Sequence, residues 1–552
     1  MPEQTRLVIV GGVAGGASTA ARARRISESA SIVMFERGPD VSFANCGLPY
    51  HIGGVIAGRG NLLVQSPESL RARFNIDVRV NTEVTAIDCA ARTVTVRDLS
   101  SGRQYAEPYD ALILSPGAEP MRPPLPGISS ARVLTLRSMT DMDAIIARIE
   151  SAHPARAVVV GGGYIGLEMA EALRGRNLEV VLVEMLSQVM APVDPEIAAP
   201  LHHELRSHGV DLRLGTSATA FTDRDDSLLV TLSSGEEIKA AFALLAIGVK
   251  PDVKLARDAG LAIGRRGGIA VDDHMRTSDS NIFAVGDAVE VTDFVGGGPT
   301  LIPLAGPANR QGRIAADNAL GRPRVYKHSQ GTAICKVFGL AVGMTGLNEK
   351  TLMNLGRTFE SVVVHLSSHA DYYPGAQPLM LKLLFETPTG RILGAQAVGT
   401  DSVDKRIDVI ATALRAGMTV FDLEDLELCY APPYGSAKDP VNYAGFVAAN
   451  VLRGDVAVCH AADMVNPGPS RMLLDVRSPK EFRAGTIPGS INMPVDTLRT
   501  RVTELPRDKE LLVFCQAGLR GYIACRILSQ HGLACLNLSG GYKSYLLGID
   551  RV

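Results

Sequence analysis

Leu7-Val-Ile-Val10 runs directly into Gly11-Gly-Val-Ala-Gly-Gly16 and the alanine-rich Ala17-Ser-Thr-Ala-Ala-Arg-Ala-Arg-Arg25. The same order returns about 150 residues later as Ala157-Val-Val-Val160, Gly161-Gly-Gly-Tyr-Ile-Gly166 and Leu167-Glu-Met-Ala-Glu-Ala172. In each copy a β-branched apolar run precedes a glycine cluster and a helix-like stretch, and the next strand ends in an acid, Glu36 or Glu184. Strand, glycine turn, helix and strand in this order make a right-handed crossover of a parallel sheet. Two copies imply two nucleotide sites. The second loop, Gly161-x-Gly163-x-x-Gly166, carries the full dinucleotide fingerprint, whereas Val13 stands where the first loop would have its middle glycine. Glu184 at a strand end accepts both ribose hydroxyls and repels a 2′-phosphate, so NADH is preferred over NADPH.

Working outward, 552 residues suggest three or four domains, and 46% hydrophobic with 21% charged residues describes a globular chain with large cores. A net charge of -2 offers no electrostatic case for nucleic acid or an anionic membrane. The eight cysteines form no C-x-x-C pair, which argues against a disulfide scaffold or structural zinc, and no metal site is expected. No signal-peptide pattern or membrane-length apolar run is present, so the expected location is cytoplasmic. The 55 glycines exceed the roughly 39 that average usage of about 7% implies. Further strands end in small-residue turns at Leu112–Ala118 and Leu244–Pro251, and Ile282–Val285 runs into Gly286-Asp287.

These motifs resemble the flavoprotein disulfide reductase family with two dinucleotide-binding domains. The resemblance implies an α/β fold: two Rossmann-like FAD- and NAD-binding domains, an α+β dimerisation domain and a C-terminal α/β domain. The expected division is 1–150 with 252–324 for FAD, 151–251 for NAD, 325–450 for dimerisation and 466–552 for the tail. It implies cofactor contacts at Gly11, Gly12, Val13, Ala14, Gly15, Gly16, Glu36, Arg37, Ser115, Pro116, Gly117, Gly161, Gly163, Tyr164, Ile165, Gly166, Glu184, Gly248, Gly286, Asp287, Pro303 and Ala305.

Ser42-Phe-Ala-Asn-Cys46-Gly-Leu-Pro-Tyr50 lies where the family's chain passes the flavin ring, and it holds one cysteine instead of a pair. A single redox cysteine cycles between thiolate and a mixed disulfide, persulfide or sulfenic acid. The segment resembles the coenzyme A-disulfide reductase branch, in which this cysteine carries CoA. The peroxidases of the family use a His in the first glycine loop, and Ala14 stands at that position here. The resemblance places CoA against Ser18, Arg22, Arg25, Ser42 and Asn45, with Arg24 and Arg71 or Arg73 as added charge, since arginine forks suit phosphates. It also implies a homodimer whose Tyr372, Tyr430 and Lys438 reach the flavin and CoA thiol from the partner subunit, with Tyr373 and Tyr434 as alternative registers.

After Pro467-Gly-Pro-Ser470, which reads as a linker, Leu474-Asp-Val-Arg-Ser-Pro-Lys-Glu-Phe-Arg-Ala-Gly-Thr-Ile-Pro-Gly-Ser490 closely resembles the rhodanese signature, with Thr486 in place of its usual His. The strand Leu511–Phe514 delivers Cys515 to a loop of backbone N–H groups, a setting that stabilises a thiolate and a persulfide, and Arg520 steadies that anion. Cys525 and Cys535 read as packing residues. The expected activity is NADH- and FAD-dependent reduction of persulfide, polysulfide, CoA persulfide or CoA disulfide at Cys46, with Cys515 carrying sulfane sulfur and a tightly held CoA as a swinging thiol. The rival readings are an NADH oxidase acting through a Cys46 sulfenic acid, a sulfurtransferase, and a non-catalytic redox sensor.

Overall fold

A computed structural model describes residues 5–152 and 156–549. The chain divides into two compact units, residues 1–185 with 209–331, and residues 186–208 with 332–552.

In the first unit, five parallel strands lie in the order Ile282–Ala284, Ala111–Leu114, Arg6–Val10, Ser31–Phe35 and Asp77–Arg79. The central strand is buried on both faces, which is why Leu7, Val8 and Ile9 form a continuous apolar run without alternation. The helix Ala14–Ile26 lies against the helix Ala305–Ala319, and a Cβ on Gly312 would come within 2.4 Å of the Gly15 carbonyl. The second parallel sheet runs Val210–Leu214, Glu179–Glu184, Arg156–Val160, Phe242–Leu245 and Val133–Leu134. Its outer strand precedes residue 151, so the expected start at 151 is late by one strand and by the helix Met139–Ala152. A two-residue edge strand has too little pattern to be read before its partner, Ala243–Leu244, is known.

In the second unit, five antiparallel strands run Ala333–Val337, Leu340–Gly346, Ile392–Gly399, Pro378–Glu386 and Phe359–Ser367. The helix Val403–Ala416 packs on this sheet, with Ile407, Ile410 and Leu414 buried. The C-terminal block has its own parallel sheet, ordered Ala457–Cys459, Cys535–Leu538, Glu510–Phe514, Arg471–Asp475 and Ile491–Asn492. Ala457–Cys459 belongs to this sheet, so Pro467–Ser470 is a loop inside the block, and the expected boundaries at 450 and 466 miss that strand.

This block lies along the edge strand Phe359–Ser367. The Val363 N–H donates to Ser539 Oγ at 2.8 Å, His365 Nε2 pairs with Ser544 Oγ at 2.8 Å, and His460 Nε2 pairs with Glu360 at 2.9 Å. Among the described residues no helix is long and apolar enough to cross a membrane.

Candidate active sites

Both glycine loops have the geometry of a phosphate cradle. Gly11 (φ +95°) and Gly161 (φ +108°) occupy the left-handed region, where added Cβ atoms would sit 2.1 Å from the Ser115 carbonyl oxygen and 2.4 Å from that of Ala246. Neither following helix has a side-chain cap, so first-turn N–H groups remain for a pyrophosphate. Glu36 accepts from the Gly12 N–H at 2.9 Å, and Glu184 from the Gly162 N–H at 2.6 Å, which sets each acid at its loop. Gly163 has a negative φ, and a Cβ there would enter open space. Its counterpart Val13 also has a negative φ, so a side chain is tolerated there conformationally. Both loops fit the pyrophosphate of a dinucleotide such as FAD or NAD(P)H.

Around the first loop, Ser115, Pro116 and Gly117 follow the neighbouring strand Ala111–Leu114, and Gly286 (φ +81°) turns after Ile282–Ala284. These are the carboxyl ends of adjacent strands, where open α/β sheets bind ligands. Pro303 and Ala305 lie at the start of the helix Ala305–Ala319, Arg37 stands 3.9 Å from Asp252, and Gly248 (φ +109°) leads into the strand Val249–Pro251. Burial raises Asp287 above the usual carboxylate range, opposed by Arg137. Sequence reading passed over Arg137, whose guanidinium donates to the Pro116 carbonyl at 2.7 Å; burial pushes it down, with Arg37 adding to the effect.

Cys46 lies in the short turn Asn45–Gly47, and Asn45 and Cys46 are exposed. Its thiol is held above the ordinary value, first by the protein around it and then by the carboxylates of Glu168 and Asp287. The charge of Asp287, in the Gly286-Asp287 turn, is thus felt at Cys46. Glu168 is a second residue that the sequence did not disclose. It sits on the helix Tyr164–Gly175 that follows the second loop, accepts from the Tyr50 hydroxyl at 3.2 Å, and is itself raised by burial.

The residues assigned to CoA are only partly free. Ser18, Arg22 and Arg25 share one helix, but Ser18 donates to Asn309, and Arg22 pairs with the buried Asp317 at 2.6 Å while its Nε has no partner. Arg25 is exposed, and Ser42 adopts a positive φ of 50°. Arg24 is buried, and its guanidinium donates to the carbonyls of Ser27, Glu28, Phe74 and Asn75. Such an arginine holds a loop and is not available to a phosphate, a correction to its reading as added charge. Arg71 stands 3.8 Å from Asp77.

In the second unit, the hydroxyls of Tyr372 and Tyr430 meet at 2.7 Å on exposed loops. Tyr373 instead makes an edge contact with His369, and Tyr434 is exposed with its carbonyl accepting from Lys405. The Tyr430 loop is anchored below by buried Arg406, which donates to Asp439 at 2.8 Å and to the Ser368 carbonyl. Asp439 also caps the helix Pro440–Leu452. Lys438, just before it, is exposed.

Cys515 is buried at the end of Glu510–Phe514, and the Gly518 N–H donates to its Sγ at 3.1 Å. Arg520 acts on Cys515 and is forked onto Glu481 at 2.7 and 2.8 Å, a contact that brings Glu481 down to about 2. The signature residues form the frame beneath. Buried Asp475 takes a fork from Arg477, whose guanidinium reaches Gln516 at 3.1 Å and lies 4.2 Å from the Tyr542 ring centre. Thr486 donates to Asp475 at 2.8 Å, so a hydroxyl serves where the signature has an imidazole. Cys525 is buried, and Cys535 contacts its carbonyl at 3.5 Å, in keeping with packing roles.

Asp194, Glu196 and Glu349 converge as a metal site would, but the Lys382 ammonium lies among them, 2.9 Å from Asp194 and 2.7 Å from Glu349.

Residues 5–312 match the model of the pyridine nucleotide-disulphide oxidoreductases, residues 332–439 that of their dimerisation domain, and residues 460–547 that of the rhodanese-like domain. A coenzyme A disulfide reductase of Staphylococcus haemolyticus (strain JCSC1435) is 34% identical over 447 residues, 81% of this chain and 100% of that protein. The crystal structure of reduced CoADR-RHD from Bacillus anthracis is 49% identical with a TM-score of 0.97, covering 99% of this chain and 98% of that one. A NAD-dependent persulfide reductase from A. fulgidus is 38% identical with a TM-score of 0.91, covering 98% and 100%.

Proposed function

The chain belongs to the pyridine nucleotide-disulphide oxidoreductase family, and from that premise we propose that it reduces sulfur–sulfur bonds at Cys46 with electrons from NADH. Its substrates are persulfide, polysulfide, CoA persulfide or CoA disulfide, and Cys515 carries sulfane sulfur to or from that reaction. The reading places a homodimer in the cytoplasm. The observation that carries it is a free, exposed thiol, Cys46, in the turn Asn45–Gly47 of the unit that holds both glycine loops.

FAD in the first loop and NADH in the second would supply the two electrons that cleave the sulfur bond left on Cys46. The Cys46 thiolate attacks CoA disulfide to form Cys46-S-S-CoA and release one CoA thiolate, or takes the outer sulfur of a persulfide and releases the parent thiol. Glu36 and Glu184 orient the two riboses, and Gly163 leaves room for the nicotinamide nucleotide. The Tyr372–Tyr430 pair, contributed across the homodimer, donates a proton to the leaving thiolate. Arg25, Ser42, Asn45 and Lys438 bind CoA, joined by Ser18 and by Arg22, which remains paired with Asp317. A tightly held CoA serves as a mobile thiol between Cys46 and Cys515. In the tail, the Gly518 N–H and Arg520 hold the Cys515 persulfide as an anion.

The test is anaerobic NADH oxidation with polysulfide, CoA persulfide, CoA disulfide and oxygen in parallel, in wild type, Cys46→Ser and Cys515→Ser. Cys46→Ser is expected to abolish turnover with the sulfur acceptors, and Cys515→Ser to depress polysulfide turnover selectively. Turnover that survives Cys46→Ser would overturn the reading, and oxygen consumption without sulfide release would favour an oxidase.

A further inference from the structure

Between the C-terminal block and the sheet-and-helix block before it lies a cavity of about 180 Å³ that opens to solvent. Tyr443, Phe446 and Val447 of the helix Pro440–Leu452 line it from one block, and Val456, Val458 and Tyr522 line it from the other, with Asn450, Asn537 and Ser539 among them. The cavity also reaches the Ala517–Leu519 loop, the loop whose Gly518 N–H holds the Cys515 sulfur at 3.1 Å. Tyr443 lies close enough to feel the charge of Cys515, although it belongs to a helix outside the rhodanese fold. Among the described residues that line it, Lys438 is the only formal cation, and it is exposed.

We infer that this cavity is a binding site for sulfane-sulfur donors with an uncharged apolar body, which load Cys515 from the seam between the two blocks. The inference rests on the reading that Cys515 carries sulfane sulfur. Aliphatic and aromatic walls favour a ligand that gives up apolar surface to them. A compact dianion such as thiosulfate would lose its hydration there for few donors, since the lining's Asn537 and Ser539 are already bonded to Gly518 and Val363, leaving chiefly Asn450, the two tyrosine hydroxyls and Lys438. With a hydropersulfide R–S–SH, the Cys515 thiolate bonds to the terminal sulfur and the donor's S–S bond breaks. The electron pair leaves on R–S⁻, and the terminal sulfur remains as the Cys515 persulfide with its proton. One sulfur atom moves, and no external oxidant or reductant is needed.

Loading is read on the full chain, without NADH, as the mass gain of one sulfur on the Cys515 peptide after brief exposure to benzyl hydropersulfide or to thiosulfate. Because the readout needs neither NADH nor Cys46, it separates this inference from the reductase reading, which fails or stands on NADH turnover alone. Benzyl hydropersulfide is expected to load wild type at least tenfold more efficiently than thiosulfate. Val447→Trp and Val458→Phe, which fill the cavity from its two blocks, are expected to slow the benzyl donor at least tenfold while leaving thiosulfate loading within twofold. The retained thiosulfate reaction also reports that each variant is folded. Equal efficiency of the two donors in wild type, or equal slowing of both donors in both variants, overturns the inference.

Discussion

Tyr372 and Tyr430 lie 58 positions apart in the chain, and their hydroxyls share one hydrogen bond of 2.7 Å. The bond raises Tyr372 above an ordinary phenol, because the proton that it would lose is engaged by its neighbour. Both rings are largely exposed, so the pair is presented outward and is not part of a core. A proton relay made of two hydroxyls fails when either is removed. Tyr372→Phe and Tyr430→Phe are each expected to lower kcat for CoA disulfide by about 10- to 100-fold. The double variant is expected to be no worse than the weaker single one, and additive losses in steady-state kinetics would show independent roles.

The first and middle glycines of the fingerprint differ in what they contribute. Gly161 combines a positive φ with a Cβ position 2.4 Å from the Ala246 carbonyl, so Gly161→Ala should destabilise the fold by at least about 1 kcal/mol. Gly163 has neither restriction, so Gly163→Ala should leave the thermal midpoint unchanged and raise KM for NADH. Thermal unfolding and NADH titration of the two variants separate packing from nucleotide approach.

Cys46, although exposed at the surface, is a weaker acid than a free thiol, with partial desolvation by the protein around its sulfur as the first cause and Glu168 as the second. In the cofactor-free chain, its alkylation by iodoacetamide should keep rising with pH after a free thiol has levelled. Glu168→Gln removes the larger of the two carboxylate influences and should move that profile to lower pH. A profile that does not move would remove Glu168 from the site.

His365 is held neutral beside Ser544, and burial, with Lys543 adding, lowers it to about 4. Between its unfolded value near 6.5 and about 4, the unfolded chain takes up a proton that the folded chain refuses. Stability is therefore complete above pH 6.5 and declines as the pH falls towards 4, by up to about 3 kcal/mol. His365→Gln should flatten that dependence. The check is the urea midpoint for release of the buried Cys515 to a thiol reagent, compared at pH 7 and pH 5.

The dinucleotide loops, their terminal acids and the Cys515 loop were legible in the sequence because each is written locally, as a strand, a glycine turn and a helix within a few tens of residues. Glu168 was not, because nothing in Leu167-Glu-Met indicates that its helix turns that carboxylate towards Cys46. Arg24 and Arg25 are adjacent and chemically identical, and only the fold decides that one is buried on four carbonyls while the other faces water. Ala457–Cys459 becomes a strand through its pairing with Leu536–Leu538, far along the chain, so a proline-rich loop after it looked like the boundary. The residues set for CoA and for proton donation came from family resemblance. Geometry adds that Tyr372 meets Tyr430, and that Arg22 is already engaged with Asp317.

The strand Phe359–Ser367 has a ladder partner on one side only, and its other side is covered by Ser539, Ser544 and His460. A chain trimmed after Leu452 would expose the main-chain N–H of Val363 in a stretch that reads Val362-Val-Val364. Such an unprotected, β-branched margin is a template for pairing with other molecules. Removing the tail to isolate the reductase would thus invite self-association, and lost activity in that truncation would report aggregation as readily as the loss of a sulfur carrier.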